Sequence, residues 1–184
     1  MDPQSAGQRI LRNDTVINVA ALLQEPIGAT RSYDFVINSF PLDDDLFARD
    51  LTGTLRLTRV SDALLAAIDG TTSIELECQR CLNQFALPVT LGFDEQFRIA
   101  FDVKRGTEIA SEIEGIDERP EINENHELDF GEPMRQELIL ALPMRPVCGP
   151  DCPGPPPFSA GDDEDEAIDS FAALAALLEQ DDQN

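Results

Sequence analysis

The longest regular pattern of apolar and polar residues lies between residues 85 and 103. Nine apolar residues of this stretch share one parity: Phe85, Leu87, Val89, Leu91, Phe93, Phe97, Ile99, Phe101 and Val103. A period of two is that of a β-strand, whose successive side chains point to opposite faces. The pattern therefore predicts an antiparallel strand over Phe85–Val103 with one buried face and a bend at Gly92.

Earlier segments also have extended character, and together they predict a strongly curved antiparallel sheet built mainly from residues 31–103. These segments are Arg31–Ile37, Leu51–Val60 and most of Ala63–Cys78. Within the last, the dipeptide Asp69-Gly70 is a turn signal. The predicted core comprises Leu55, Leu57, Ile74, Leu76, Leu87, Val89, Leu91, Leu138 and Leu142.

The opening of Ala63–Cys78 is also compatible with a helix by its Ala and Leu content. The other helical patterns lie in the second half of the chain. Residues 104–131 are polar and acidic, which is typical of a solvated connector. Glu132–Leu142 is predicted to be a helix packed on the sheet, with Pro133 in its first turn and Pro143 at its end. Residues 143–158 contain seven prolines and form an irregular knuckle. A short C-terminal helix carries an apolar stripe of Phe171, Leu174 and Leu178.

The predicted fold class is accordingly α+β, with a curved antiparallel sheet, one packed helix, a Pro/Gly-rich cysteine knuckle and a short C-terminal helix. Residues 1–158 are expected to form a single domain that contains the cysteine pairs. Residues 159–184 are expected to form an acidic linker followed by the amphipathic helix, because the run of acidic residues from 162 to 166 favours solvation.

Charge is distributed unevenly along the 184 residues. The chain has 36 acidic and 13 basic residues, a net charge of −23, and residues 108–184 hold 21 of the acidic and only 3 of the basic ones. Such a balance excludes RNA binding driven by bulk attraction and favours basic protein partners. The stripe of Phe171, Leu174 and Leu178 is then either a latch on the domain or an anchor for a partner.

Other function classes find little support in the sequence. No apolar run reaches the ~18 residues of a membrane span, and residues 1–14 lack the apolar centre of a secretory signal. A cytoplasmic protein with reduced thiols is therefore expected. One histidine, no phosphate-binding loop and no recognisable catalytic motif argue against an enzyme and against a small-molecule substrate.

The four cysteines fall into two close pairs with none left over. Cys78 and Cys81 form a CxxC, and Cys148 and Cys152 form a CxxxC in the Pro/Gly-rich segment. Structural zinc is held by four soft ligands, commonly supplied as two short-spaced pairs whose thiolates turn towards one ion. The two pairs are therefore predicted to converge. Zinc bound by these four cysteines is one reading, and reduced thiols without a metal are the other. A redox role is disfavoured, because the CxxC lies between two predicted antiparallel strands.

Arginines of the first part are the candidates for RNA contact. Arg56, Arg59 and Arg80 lie on or near the predicted hairpins, and the guanidinium fork suits bidentate binding of phosphate. For Arg80 an ion pair with Glu75 or Glu77 is the alternative, and it is favoured in a chain this acidic.

Three sequence motifs resemble those of the YceD family, the large ribosomal RNA subunit accumulation proteins. They are LECQRCL at 76–82 followed by Phe85, ELILALPMRPV at 137–147, and FAALAAL at 171–177. Their order and spacing agree with the family, so the resemblance covers about residues 15–180. The sequence departs from cysteine-rich members after Cys152, where three prolines stand in place of further cysteines.

The resemblance implies a non-enzymatic accessory protein of ribosome biogenesis, needed for accumulation or processing of large-subunit ribosomal RNA. Its partners would be ribosome-assembly or rRNA-processing proteins, with direct or indirect contact to rRNA. The alternative that the composition alone supports is an acidic interaction module that binds a basic partner unrelated to ribosomes.

Overall fold

The computed structural model of the chain describes residues 9–100 and 119–155. The described residues up to Cys152 belong to one compact unit. Its elements are the strands β1 Arg9–Arg12, β2 Val16–Asn18, β3 Thr30–Asp43, β4 Leu46–Arg59, β5 Ala63–Glu77, β6 Gln84–Ile99, β7 Glu121–Ile122 and β8 Glu127–Asp129, and the helices α1 Ala20–Leu23 and α2 Gly131–Leu140.

A curved six-stranded sheet in the order β1-β3-β4-β5-β6-β7 forms the body of the unit. The long strands β3 to β6 follow one another as antiparallel hairpins. The edge strands β1 and β7 pair in parallel with β3 and β6, so the sheet is mixed, and the prediction of a purely antiparallel sheet is wrong at its edges. A separate antiparallel pair joins β2 to β8.

The alternation in β6 is confirmed by burial. Val89, Leu91 and Phe97 are buried on one face, whereas the intervening residues 88, 90, 92, 94 and 96 are exposed. Residues 101–103 of the predicted strand lie outside the described residues. The predicted alternation in β4 is confirmed as well, since Leu51, Leu55 and Leu57 share one parity and are buried. Inward side chains of neighbouring strands meet in one core.

Of the nine predicted core residues, six are buried and three are half-buried against the core. The buried ones are Leu55, Leu57, Ile74, Val89, Leu91 and Leu138, and the half-buried ones are Leu76, Leu87 and Leu142. The predicted packing of the helix is confirmed, since Met134 and Leu138 of α2 belong to this core. The helix begins one residue earlier than predicted and ends two residues earlier, at Leu140.

The turn predicted at Asp69-Gly70 does not exist, because β5 runs through both residues. Gly70 pairs with Gly53 of β4, and the ring of Phe35 from β3 lies over the two glycines. A Cβ atom at Gly53 would lie 2.2 Å from the carbonyl oxygen of Asp69 and 2.5 Å from the Phe35 ring. Glycine at these positions therefore makes room for an aromatic ring and does not reverse the chain.

The acidic segment before α2 is also more structured than predicted. Residues 119–131 contain β7 and β8, and Ile122, Leu128 and Phe130 are buried. The Phe130 ring centroid lies 5.6 Å from that of Phe35, so this segment closes one side of the core. The remainder of the predicted connector, residues 104–118, lies outside the described residues.

Candidate metal centre

The first cysteine pair occupies the turn between the two longest strands, β5 and β6. The N–H of Cys78 donates to the carbonyl of Asn83 at 2.9 Å, and the N–H of Leu82 donates to the carbonyl of Cys78 at 2.8 Å. Leu82 closes this turn in the left-handed conformation, with φ at +62°. This turn, residues 78–83, is called the first knuckle below. It places the side chains of Cys78 and Cys81 on the same side, and both cysteines are buried.

The second cysteine pair lies in the irregular segment that follows α2. Prolines at 143, 146 and 150 exclude a regular helix or strand there. The N–H of Cys152 donates to the carbonyl of Gly149 at 3.3 Å, and Gly149 has φ at +129°, a value that favours glycine. This tight turn brings Cys148 and Cys152 back towards each other.

Two hydrogen bonds join the first knuckle to the irregular segment 143–152, which is called the second knuckle below. The N–H of Gln79 donates to the carbonyl of Pro146 at 2.9 Å, and the N–H of Cys148 donates to the Sγ of Cys78 at 3.4 Å. The predicted convergence of the two cysteine pairs is thus confirmed. Across the knuckles, Cys78 Sγ lies 3.8 Å from Cys152 Sγ, and Cys81 Sγ lies 3.7 Å from Cys148 Sγ.

All four sulfur atoms lie within 4.8 Å of one another. A tetrahedral zinc ion with Zn–S bonds of ~2.3 Å requires sulfur–sulfur separations of ~3.8 Å. The four thiols therefore supply the number, the softness and nearly the spacing of ligands that a structural zinc site needs. This fit concerns the ligand set, and the zinc ion itself remains a prediction.

The surroundings of the thiols differ within the cluster. Burial and the sulfur atoms of Cys152, Cys81 and Cys78 raise the pKa of the Cys148 thiol to about 12. Burial also raises the pKa of the Cys78 thiol, but backbone N–H groups of Cys148, Cys81 and Arg80 outweigh it and lower the pKa to about 6. In metal-free protein at neutral pH, these shifts favour a thiolate at Cys78 and a protonated thiol at Cys148. A metal ion would have to displace the proton of Cys148.

The arginines nominated for RNA contact do not come together. Arg56 is exposed on β4 opposite Ala67, near one end of β5, whereas Arg80 lies in the knuckle beyond the other end. Arg59 is half-buried and donates a hydrogen bond to the carbonyl of Glu25. RNA contact by these arginines therefore stays a prediction, and the structure offers no single patch that contains all three.

Arg80 makes no salt bridge with Glu75 or Glu77 in residues 9–100 and 119–155, although the sequence favours such a pair. The candidate partner-binding residues Phe171, Leu174 and Leu178 lie outside the described residues.

Sequence reasoning also missed a feature of the knuckles, which is the exposure of Leu82, Met144 and Val147. The available signal was Met144, a large apolar residue in a segment too rich in proline to bury it.

Comparison with known proteins identifies the family. The family model of the large ribosomal RNA subunit accumulation protein YceD matches residues 67–178, more than half of the chain and all four cysteines. The chain belongs to the YceD family. This confirms the resemblance of the sequence motifs and connects the chain, through the family's description, to accumulation of large-subunit rRNA.

Relatives of this YceD protein are found in mycobacteria. An uncharacterized protein of Mycobacterium bovis is 28% identical over 154 residues, which cover 80% of this chain and 70% of the relative. Uncharacterized proteins of two Mycobacterium tuberculosis strains match with the same identity and coverage. No solved structure matches the chain. Neither helix in the described part of the chain has the length and apolar character of a membrane-spanning helix.

Proposed function

We propose that the protein is a non-enzymatic accessory factor of ribosome biogenesis, required for accumulation or processing of large-subunit rRNA. The single observation that carries this proposal is the match of the YceD family model over residues 67–178. The matched range contains both knuckles and α2, so the family relationship includes the cysteine cluster.

We propose further that the four cysteines hold one zinc ion with a structural role. The ion would fix the second knuckle, which buries little apolar surface, against the first. Cys78, Cys81, Cys148 and Cys152 would fill all four positions of a tetrahedral ion and leave none open for substrate, as in structural zinc sites. Elemental analysis of the purified protein should give about one zinc ion per chain. Absence of any metal after purification under reducing conditions would contradict this role.

The protein is proposed to act by binding proteins of ribosome assembly or rRNA processing more than by direct attraction to RNA. A net charge of −23 repels RNA and attracts basic proteins. Purified protein should therefore bind rRNA fragments weakly. Tight binding to rRNA fragments alone, with a steep dependence on salt, would contradict this mode of action.

Deletion of the gene in its host tests the biological role. Large-subunit rRNA should fall relative to small-subunit rRNA, and re-expression of the wild-type protein should restore it. The variant Cys78→Ser, which lacks one of the four thiols, should fail to restore it. Thr71→Ala is the matched control, because Thr71 lies on β5, the strand that leads to Cys78, and its side chain is exposed. Unchanged rRNA levels and unchanged ribosomal subunit profiles after deletion would refute the role.

A further inference from the structure

Exposed apolar side chains accompany the two knuckles. Leu82 is 57% exposed, Val147 is 51% exposed and Met144 is 98% exposed. Leu82 follows Cys81 directly, Val147 precedes Cys148 directly, and the sulfur atoms of these two cysteines are 3.7 Å apart. Leu82 and Val147 therefore lie at the same end of the sheet, and Met144 lies two residues before Pro146, whose carbonyl accepts a hydrogen bond from Gln79. Together with Arg80 and Arg145, the three apolar side chains are called the knuckle face below.

The backbone conformation of Leu82 has an energetic cost. Its φ of +62° lies in the left-handed region, where a residue with a Cβ is disfavoured and glycine is not. Its backbone N–H closes the knuckle, but glycine would do the same without the steric conflict. Because the exposed leucine side chain contributes little to the core, its value to the protein is expected to lie in a contact outside the chain. Backbone strain of this kind is concentrated at functional sites.

Two arginines flank these apolar side chains. A backbone hydrogen bond joins Gln79 to Pro146. Arg80 follows Gln79 and Arg145 precedes Pro146, so each arginine is one residue away from this contact. Both arginines are exposed, and neither forms a salt bridge within the part of the chain that the structure describes. Other arginines of the same part, such as Arg31 and Arg135, pair with carboxylates of their own chain. The knuckle face thus offers two guanidinium groups beside an apolar surface.

We propose that the knuckle face is a docking surface for a partner protein that presents an apolar segment flanked by carboxylates. Apolar side chains would cover Leu82, Met144 and Val147, and carboxylates would accept paired hydrogen bonds from Arg80 and Arg145. Methionine and arginine are both enriched in protein interfaces. RNA is the less suitable occupant, because the face presents no aromatic ring on which a base could stack.

Exposed carboxylates of this chain, Glu77 and Asp151, also lie next to the cysteine cluster, so recognition depends on paired hydrogen bonds to Arg80 and Arg145 and not on net charge. The partner can still be basic overall, as the net charge of −23 favours, because carboxylates are needed only in the segment that meets Arg80 and Arg145. The cysteine cluster holds the face in a fixed shape, which lowers the entropy lost on binding. This inference rests on the proposed function in one respect, namely that the protein acts by binding other proteins.

A photo-crosslinking amino acid at position 144 of the full-length chain, expressed in its host, tests the proposal. The control position is Ile27, which is 67% exposed and lies in the turn before β3, at the far end of the sheet from the knuckles. The crosslinked peptide should come from another protein and should contain apolar residues flanked by aspartate or glutamate. Crosslinking should occur at position 144 and not at position 27.

Two variants connect the crosslink to the face. Leu82→Gly should reduce crosslinking about tenfold, as expected for a central contact, while metal content stays the same and the unfolding temperature stays the same or rises. Arg145→Glu should reduce it to a similar extent, and an acidic-to-arginine change in the captured segment should restore it. A drop in metal content would instead assign the loss to the cysteine cluster and overturn the role of Leu82.

Each other result counts against the proposal. Crosslinks to nucleotides would assign the face to RNA, and crosslinks to this chain itself would assign it to self-association. Capture of a peptide with basic flanks, equal crosslinking at position 27, or no crosslinking would also overturn it. The rRNA measurement in the same strains is a separate readout. Normal rRNA after gene deletion, combined with the expected crosslink, would refute the biological role and leave the docking surface standing.

Discussion

The sheet and the second knuckle are stabilised in different ways. The sheet buries large apolar side chains almost completely, among them Phe35, Leu55 and Phe97. By contrast, none of the residues 143–152 is buried, and Cys148 and Cys152, which face the other two sulfurs, are half-buried. The hydrophobic effect accounts for the first region, and it cannot account for the second. The comparison therefore predicts that the sheet folds without metal and that the second knuckle depends on the proposed zinc ion.

A core substitution should have the largest effect, because it acts on both regions. Leu55→Ala removes a fully buried side chain of β4 and should lower the free energy of unfolding by about 2–5 kcal/mol. Urea denaturation monitored by circular dichroism measures this change. Thr54→Ala, at the exposed neighbouring position, should change the free energy by less than ~0.5 kcal/mol. Equal effects of the two substitutions would mean that the sheet is not the stabilising region.

Loss of one cysteine ligand should destabilise the knuckles and leave the sheet folded. Cys148→Ser should abolish stoichiometric zinc binding while the circular dichroism of the sheet stays close to wild type. Hydrogen exchange should accelerate at the N–H groups of Gln79 and Cys152, which bond within or between the knuckles. The N–H groups of β4 and β5 should keep their protection. Global unfolding of Cys148→Ser would contradict the independence of the sheet.

The affinity of the knuckles for zinc should rise with pH. Since the pKa of Cys148 is raised to about 12, its thiol is protonated at neutral pH, and binding one zinc ion must release at least that proton. Each proton released strengthens apparent affinity by about tenfold per pH unit, and below a pH of about 6 the thiol of Cys78 adds a second proton. Competition with a chelator of known pH dependence, between pH 5 and 8, measures the slope. An affinity independent of pH would show that both thiols are already ionised.

The smallest predicted effect concerns an ion pair on α2. Hydrogen bonds from Arg135 and Gln136 lower the pKa of Glu132 to about 2, below its ordinary value of 4.5. A depressed pKa means that the carboxylate stabilises the fold above pH 4.5 and loses this effect as the pH falls towards 2. Glu132→Gln should therefore lower the unfolding temperature slightly at pH 7 and not at pH 2, since both groups are solvent-exposed.

The matched control for that measurement is Glu137→Gln on the same helix, for which no salt bridge is found among the described residues. Its unfolding temperature should follow that of the wild type at both pH values. Identical behaviour of the two glutamine variants would show that the ion pair with Arg135 contributes nothing measurable.

Long elements and ligand spacing were the predictable parts of this molecule. The parity of β6 spans more than a dozen residues, so tertiary contacts could not easily override it. The convergence of the cysteine pairs followed from ligand count and spacing, although the register that joins Gln79 to Pro146 was not predictable.

The short elements could not be predicted from the sequence, for physical reasons. Strands β7 and β8 have two and three residues, too few for any period to emerge from a segment rich in glutamate. Helix α1 has four residues and no side-chain cap. Parallel pairing at both edges depends on contacts distant in sequence. The Asp69-Gly70 dipeptide was misleading because the same glycine that permits a turn also permits close packing in a strand.

The Phe35 ring above Gly53 and Gly70 has a consequence for how the chain folds. Strands as long as β4 and β5 have many nearly equivalent alignments, and a shift by two residues would keep every apolar side chain on its own face. Such a shift would put a residue with a Cβ in the place of Gly70, where that atom would lie 3.0 Å from the carbonyl oxygen of Thr52 and 3.4 Å from the Phe35 ring. The aromatic ring and the two glycines are thus expected to favour the native alignment of β4 and β5 over a shifted one.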